Sequence, residues 1–88
     1  MNTEQELNQR LQTLAPTKLE IIDESHLHAG HAGNTGGGHF NVLIVSEQFA
    51  GLLPLKRHRL VFDAVGDLMQ QQIHALSIEA KTPAEFSG

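Results

Sequence analysis

Leucines that recur every three or four residues predict a helix at the start of the chain. They share one helical face because their spacing is i, i+4 and i+7: Leu7, Leu11 and Leu14. Thr3 and Glu6 stand ahead of them with the spacing of a capping box, in which a hydroxyl and a carboxylate satisfy the first free amides of a helix. Because Pro16 disfavours helical backbone at the residue before it, we predict a helix over residues 4–14.

Three later segments have the patterns of β-strands. Residues 18–24 begin with alternating polar and apolar positions, which is typical of a half-buried strand. Residues 40–45 are apolar at both odd and even positions, so we expect this strand at the centre of a sheet. Residues 74–80 alternate again, and His74 begins this strand on the face shared by its even-numbered apolar residues.

Helical patterns follow the second and third strands. Apolar positions predict a helical region over residues 54–71, with Pro54 at its first position, and we expect a break near residues 57–59. Thr82 and Glu85 form a second capping box, which predicts a short helix at the end of the chain. The element order is therefore α-β-β-α-β-α.

This order predicts an α+β fold. The first two strands are close in sequence and are expected to be antiparallel, whereas a helix separates the second and third, which can be parallel through a right-handed crossover. We predict a three-stranded mixed sheet with helices packed on one face. With 40% hydrophobic residues, the chain has enough apolar content for one core, so residues 1–88 are interpreted as a single domain.

Composition and charge disfavour several classes of protein. The N-terminus lacks the basic stretch and apolar run of a secretory signal, and no apolar run approaches the length of a membrane span, so a cytoplasmic bacterial protein or a mature organellar one is expected, with the cytoplasm preferred. The formal net charge of −4 disfavours a dedicated nucleic-acid binder. Hydrolase and nucleotide-binding motifs are missing from the sequence, so no enzymatic activity is predicted.

A glycine-rich stretch between the first two strands contains four of the six histidines. Its glycines interrupt every periodic pattern, so residues 25–39 are predicted to form a flexible loop. The histidines are His26, His28, His31 and His39. Imidazole binds several transition metals, but the chain has no cysteine to add a thiolate. The pattern favours a protein that supplies part of a metal site and needs another molecule for the rest.

Several segments, in this order, resemble the BolA family. They are LEIIDES at 19–25, HF at 39–40, VLIVSEQF at 42–49, RHRLV at 57–61 and HALSIEAKTP at 74–83. The match runs from about residue 5 to residue 86, which is essentially the whole chain. The loop sequence HLHAGHAG, followed by HF, resembles the histidine-loop branch of the family rather than the branch with a loop cysteine. The resemblance implies a fold similar to class II KH domains, in agreement with the predicted element order.

The resemblance also implies a partner and a cofactor. Members of the family form a heterodimer with a monothiol glutaredoxin of the CGFS type, bridged by a [2Fe–2S] cluster that serves cluster trafficking or iron and redox sensing. A glutaredoxin cysteine and glutathione supply thiolates, and the BolA-like protein supplies the remaining ligands. Carried over to this chain, those ligands are His74 and, from the loop, His28, with His31 as the second choice. The isolated chain is then expected to hold no cluster.

Simpler interpretations of these histidines stay open. On spacing alone, His74 could be a strand-edge histidine without a ligand role. The loop histidines could be solvated side chains, or could bind zinc, nickel or copper through their His-x-His-x-x-His spacing. His39 directly precedes the second strand and is predicted to pack beside Phe40.

Positive charge is concentrated locally between residues 56 and 59. This segment is interpreted either as a solvated helix face or as a contact for phosphate or an acidic partner, made by Lys56, Arg57 and Arg59. Family members have also been linked to DNA binding, so the alternative function is a nucleic-acid-binding transcriptional regulator of morphology and stress response. The KH phosphate clamp needs a GxxG loop, however, and Gly51 is not followed by the second glycine.

Overall fold

Residues 2–24 and 38–87 are described by a computed structural model, and their elements follow the predicted order. The helices are α1 (Thr3–Leu11), α2 (Pro54–Val65), α3 (Leu68–Gln71) and α4 (Pro83–Ser87), and the strands are β1 (Lys18–Asp23), β2 (Gly38–Val45) and β3 (Ile73–Lys81). Two short 3₁₀ turns, Gln12–Leu14 and Glu47–Phe49, follow α1 and β2.

The three strands form one mixed sheet in the order β1-β2-β3. β1 is antiparallel to β2, with Lys18 opposite Val45, and β2 is parallel to β3. The predicted mixed sheet and the central position of β2 are therefore confirmed. Since β2 and β3 are parallel and β1 is antiparallel to them, the end of β1 and the beginnings of β2 and β3 lie at the same end of the sheet.

The core lies between one face of the sheet and the helices. Alternate residues of β2 point into it, and α1 and α2 each contribute one apolar face, as the sequence periodicity predicts. Its members include Leu7, Leu11, Phe40, Val42, Ile44, Val61 and Val65, each at most 4% exposed. On the other face, Glu20, Ile22, Ser77 and Glu79 are exposed. The predicted packing of helices on one face of the sheet is confirmed.

The N-terminal cap of α1 lies one residue earlier than predicted. Asn2 Oδ1 accepts a hydrogen bond from the Gln5 amide (2.8 Å), and Gln5 Oε1 accepts one from the Asn2 amide (3.0 Å). The expected box of Thr3 and Glu6 is wrong because Asn is as good an N-cap as Thr and Gln can replace Glu. The Thr3 hydroxyl donates instead to Gln72 Oε1 (2.7 Å).

The break in the long helical region also differs from the prediction. α2 is continuous through residues 57–59 and ends at Val65, directly before Gly66, whose positive φ of +61° is a backbone conformation that glycine adopts far more easily than other residues. Arg10 Nη1 donates to the Val65 carbonyl (2.8 Å) and pairs with Asp67 (2.7 Å), so α1 stabilises this helix end. The position of the break is therefore set by the conformational preference of glycine and not by the cluster of positive charges at residues 56–59.

β2 begins at Gly38, two residues before the predicted start. Any side chain at this position would collide with the buried ring of Phe40. Only glycine lets the backbone lie this close to that ring. Gly38 and His39, which were predicted to belong to the loop, therefore lie in β2. Residues 25–37, with His26, His28 and His31, lie outside the described residues.

Candidate metal centre

Two histidine rings lie side by side at one end of the sheet. His39 is the second residue of β2 and His74 the second residue of β3. Their ring centroids are 5.1 Å apart and the ring planes are tilted by 37°. The parallel pairing of the two strands produces this contact, because it places their first residues next to one another.

A β-bulge directs His74 outward. Gly38 pairs with Ile73 and His39 pairs with Ala75, so His74 is an extra residue in β3 with no partner across the ladder. Ile73 turns into the core at 4% exposure, whereas His74 is exposed. Simple alternation had placed His74 on the inward-facing side of the strand, and this expectation is wrong because the bulge changes the phase of β3.

Glu24, the residue directly after β1, stabilises the backbone around His39. The Glu24 amide donates to the His39 carbonyl (2.7 Å), which extends the β1–β2 ladder by one residue. Asn41 Nδ2 donates to the Glu24 carboxylate. Since Glu24 and Gly38 flank residues 25–37, the histidine-rich segment leaves and re-enters the described structure at this same end of the sheet.

The donor set at this end is a pair of imidazoles. Within residues 2–24 and 38–87, no group of three or more His, Cys, Asp or Glu side chains is arranged to hold a metal ion. Two imidazoles suit iron, copper or zinc as ligands, but a tetrahedral centre needs two more. The pair therefore fits a centre that is completed by donors from elsewhere.

Sequence reasoning undervalued His39. It assigned His39 a packing role beside Phe40, whereas the structure places its ring beside His74. The evidence was present in the sequence: a histidine stands at the start of each of two strands that were expected to be parallel. What the sequence did not show was the relative register of the two strands, which decides whether the rings meet.

Arg57 is bound within the fold rather than exposed to a partner. Its Nε donates to the Leu52 carbonyl (2.8 Å) and its Nη1 to the Ala80 carbonyl (3.1 Å). Its two terminal nitrogens also bind the Glu85 carboxylate, at 2.6 and 3.1 Å. The side chain is only 12% exposed. Arg57 thus joins α2, β3 and α4, while its neighbours Lys56 and Arg59 are exposed.

Glu85 should make stability depend on pH in the acid range. The Arg57 guanidinium and the Thr82 amide lower the pKa of Glu85 from its ordinary value near 4.5 to about 2. A pKa that is lower in the folded state adds stability above pH 4.5, and that stability is lost as the pH falls towards 2. We expect the free energy of unfolding, measured in urea, to fall more between pH 5 and about pH 2.5 for the wild type than for Glu85→Gln.

Two matched variants separate this bond from general charge effects. Arg57→Ala should destabilise the protein at neutral pH because it leaves Glu85 and two carbonyls without their donor, whereas Arg59→Ala removes an exposed charge and should have little effect. Parallel pH profiles for the wild type and Glu85→Gln would contradict the assignment.

Comparison with known proteins identifies the family. The model of the BolA-like protein family matches residues 11–85. The chain belongs to the BolA-like family. It is 50% identical over 78 residues to SufE-like protein 1, chloroplastic/mitochondrial, of Arabidopsis thaliana, which covers 82% of this chain and 21% of that protein. It is 44% identical over 71 residues to the DNA-binding transcriptional regulator BolA of Vibrio cholerae, which covers 81% of this chain and 65% of that protein.

Solved BolA structures have the same fold. BolA1 from Arabidopsis thaliana superposes with a TM-score of 0.85 at 44% identity, over 97% of this chain and 96% of that one. The resemblance seen in the sequence is confirmed, while membership of the histidine-loop branch stays a prediction. The chain spans 53% and 56% of the length of two further BolA-like relatives, from mouse and Arabidopsis. In the described part of this BolA-like chain, none of the helices has the length and apolar character needed to cross a bilayer.

Proposed function

We propose that this chain is a non-enzymatic partner of a monothiol CGFS glutaredoxin and that the two proteins share a bridging [2Fe–2S] cluster, for cluster trafficking or for iron and redox sensing. The pair of histidine rings at one end of the sheet is the observation that carries the proposal. A glutaredoxin cysteine and glutathione are the proposed thiolate donors. This requires a compartment that holds both, which we predict to be the cytoplasm.

The chemistry of the donor set supports a shared cluster. Two imidazoles can replace two thiolates on one iron of a [2Fe–2S] centre. The chain has no cysteine, and within residues 2–24 and 38–87 no three donor side chains are arranged to hold a metal ion. Any thiolate ligand of a centre built on these residues must therefore come from a second molecule.

His74 is the proposed fixed ligand. It is exposed, so a partner can reach it, and the sheet holds its backbone in place before any metal binds. A ligand on preorganised backbone loses little conformational entropy on binding, whereas a ligand on a glycine-rich segment loses more. The bulge adds to this preorganisation because it fixes the direction in which His74 leaves the strand.

The second ligand is proposed to be His28, with His31 as the second choice. Both lie outside the described residues, in the segment between Glu24 and Gly38, which flank it at the same end of the sheet as His74. The structure adds His39 as a competitor, because its ring is already beside that of His74. The proposal stands with any of the three and is refined by the variants discussed below.

Anaerobic reconstitution tests the proposal. The chain should be mixed with a CGFS glutaredoxin, glutathione, iron and sulfide, and the product separated by size. We expect a 1:1 heterodimer whose visible circular dichroism differs from that of the glutaredoxin homodimer, and no bound cluster when the chain is treated alone. A glutaredoxin with serine in place of its active-site cysteine is the control and should yield none. Recovery of the homodimer spectrum alone would rule the proposal out.

A second candidate function is nucleic-acid-binding transcriptional regulation of morphology and stress response. It is favoured by the Vibrio cholerae relative that is named as a DNA-binding regulator. The net charge of −4 counts against it. The internal hydrogen bonds of Arg57 also count against it, because they leave only Lys56 and Arg59 of the basic segment for contacts with phosphate. Binding to a promoter duplex at ~150 mM salt that is no tighter than about 10⁻⁴ to 10⁻⁶ M would exclude specific recognition.

A further inference from the structure

An exposed ridge of apolar and basic side chains runs along the N-terminal part of α2. We call it the α2 ridge and define it as Leu53, Leu55, Lys56, Arg59 and Phe62. Its apolar members are exposed: Leu53 at 76%, Leu55 at 64% and Phe62 at 39%. They are three of the five large apolar residues that are exposed in the described part of the chain.

Helical geometry brings these side chains together. Leu55, Arg59 and Phe62 are spaced i, i+4 and i+7, so they form one stripe on the helix surface. The opposite side of α2 carries Val61 and Val65, both fully buried in the core. The helix is therefore fixed by its inner face, and its outer stripe is presented on a rigid support.

The two cations of the ridge differ from all the others in the protein. Of the six Lys and Arg residues, four form ion pairs with carboxylates of the fold: Arg10, Lys18, Arg57 and Lys81. Lys56 and Arg59 make no such pair and no side-chain hydrogen bond with any described residue. The unpaired positive charge of an acidic chain thus coincides with its exposed leucines.

The position of Lys56 also opposes the helix dipole. Carboxylates are favourable in the first turn of a helix, where the backbone amides create a partial positive charge. The first turn of α2 has no acidic residue and carries Lys56 instead. Arg57, in the same region, is compensated by Glu85, but Lys56 has no described counterpart. A carboxylate from another molecule would be attracted by the cations and the dipole together.

The ridge lies far from the histidine pair. Arg57, which borders the ridge, is bonded to the Ala80 carbonyl near the end of β3, whereas His74 is near the beginning of that strand. Ala80 follows His74 by six positions along the strand, a distance of about 20 Å. A molecule bound at the ridge therefore leaves the histidine end open.

We propose that the α2 ridge is a docking surface for an acidic protein partner that presents a helix with an apolar face bordered by carboxylates. Leu53, Leu55 and Phe62 pack on that face, and Lys56 and Arg59 pair with the carboxylates at its borders. This surface is separate from the proposed cluster site. It allows a second protein to bind while a glutaredoxin occupies the histidine end.

Nucleic acid fits the same surface less well. Affinity for DNA comes largely from the number of phosphates that are neutralised, and the ridge offers two free cations. Three of its five members are apolar side chains, and aliphatic leucine provides no stacking partner for a base. An apolar helix face bordered by carboxylates buries the apolar members and pairs the cations at once.

Titration of the isotope-labelled full chain with designed helical peptides tests the proposal. The probe is a synthetic amphipathic helix with leucine on one face and glutamate along both borders of that face, and the matched peptide has lysine for every glutamate. We expect the acidic helix to shift the backbone amide signals of residues 53 and 55–63 in a saturable manner. The signals of His39 and His74 should not move, and the lysine peptide should not bind.

Variants of the ridge give the quantitative outcome. Leu53→Ser/Leu55→Ser and Lys56→Glu/Arg59→Glu should each weaken binding of the acidic helix about tenfold or more, and the charge-reversed variant should bind the lysine peptide instead. Ile22→Ser, which changes an exposed apolar residue on the sheet, is the control and should bind normally. Equal binding of both peptides, no saturable shift, or tighter binding of a DNA duplex to the same amides would overturn the proposal.

Discussion

Replacement of His74 by alanine is expected to lower the cluster content of the glutaredoxin heterodimer on the order of tenfold or more. Even residues that only orient a metal ligand typically change metal affinity 10- to 100-fold, and His74 is proposed to bind iron directly. Because the side chain is exposed, its loss leaves no buried cavity, and the free energy of unfolding should change by less than about 0.5 kcal/mol. Iron and sulfide content and visible circular dichroism measure the effect.

The matched control removes an imidazole from another part of the fold. His58 lies in the middle of α2 and is half-buried. His58→Ala should leave the cluster content and the spectrum of the heterodimer unchanged. A His74→Ala heterodimer with its full iron content and an unaltered spectrum would remove His74 from the centre, whatever the effect of other variants.

Single replacements of His28, His31 and His39 then identify the second ligand. The variant whose spectrum changes most, with the apo fold intact, marks the side chain that binds iron. A large effect of His39→Ala would mean that the sheet alone preorganises both ligands of this chain. A large effect of His28→Ala would mean that one ligand comes from the glycine-rich segment, and fixing glycine-rich backbone generally costs conformational entropy, which suits a transferable cluster.

The sheet could be predicted because each strand has its own pattern of polar and apolar residues. The apolar run of β2 and the alternation in β1 follow from which faces are buried, and these are local properties of the chain. The parallel pairing of β2 with β3 followed from the helix between them. The capping box at Thr82 was found correctly, since its hydroxyl accepts from the Glu85 amide (3.2 Å) and Glu85 Oε1 accepts from the Thr82 amide (2.9 Å).

The candidate site was less predictable because it depends on non-local register. A bulge of one residue decides that His74 faces outward, and no local pattern announces it. The contact of His39 with His74 joins residues 35 positions apart and needs the exact alignment of two strands. The role of Arg57 depends on the position of α4, which brings Glu85 to it only in the folded chain. The basic residues Lys56, Arg57 and Arg59 are close in sequence but thus have different surroundings in the fold.

Phe49→Ala is expected to lower the free energy of unfolding by about 3–5 kcal/mol, the usual cost of removing a buried aromatic ring. Phe49 is 0% exposed and belongs to the core, although it lies in a short 3₁₀ turn rather than in a strand or a long helix. A domain of this size has about 4–13 kcal/mol of stability in total. The substitution therefore removes a large share of it, and urea unfolding should show a much lower midpoint.

Phe62→Ala is the matched control, because it removes the same side chain from a site that is 39% exposed. It should cost clearly less than Phe49→Ala, since much of the ring already contacts water. If Phe49→Ala lowered the free energy of unfolding by as little as Phe62→Ala, the turn at Glu47–Phe49 would not anchor the core. The turn links β2, which carries His39, to α2, which carries the ridge. A larger loss of stability for Phe49→Ala than for Phe62→Ala would therefore show that the packing of both elements depends on this one buried ring.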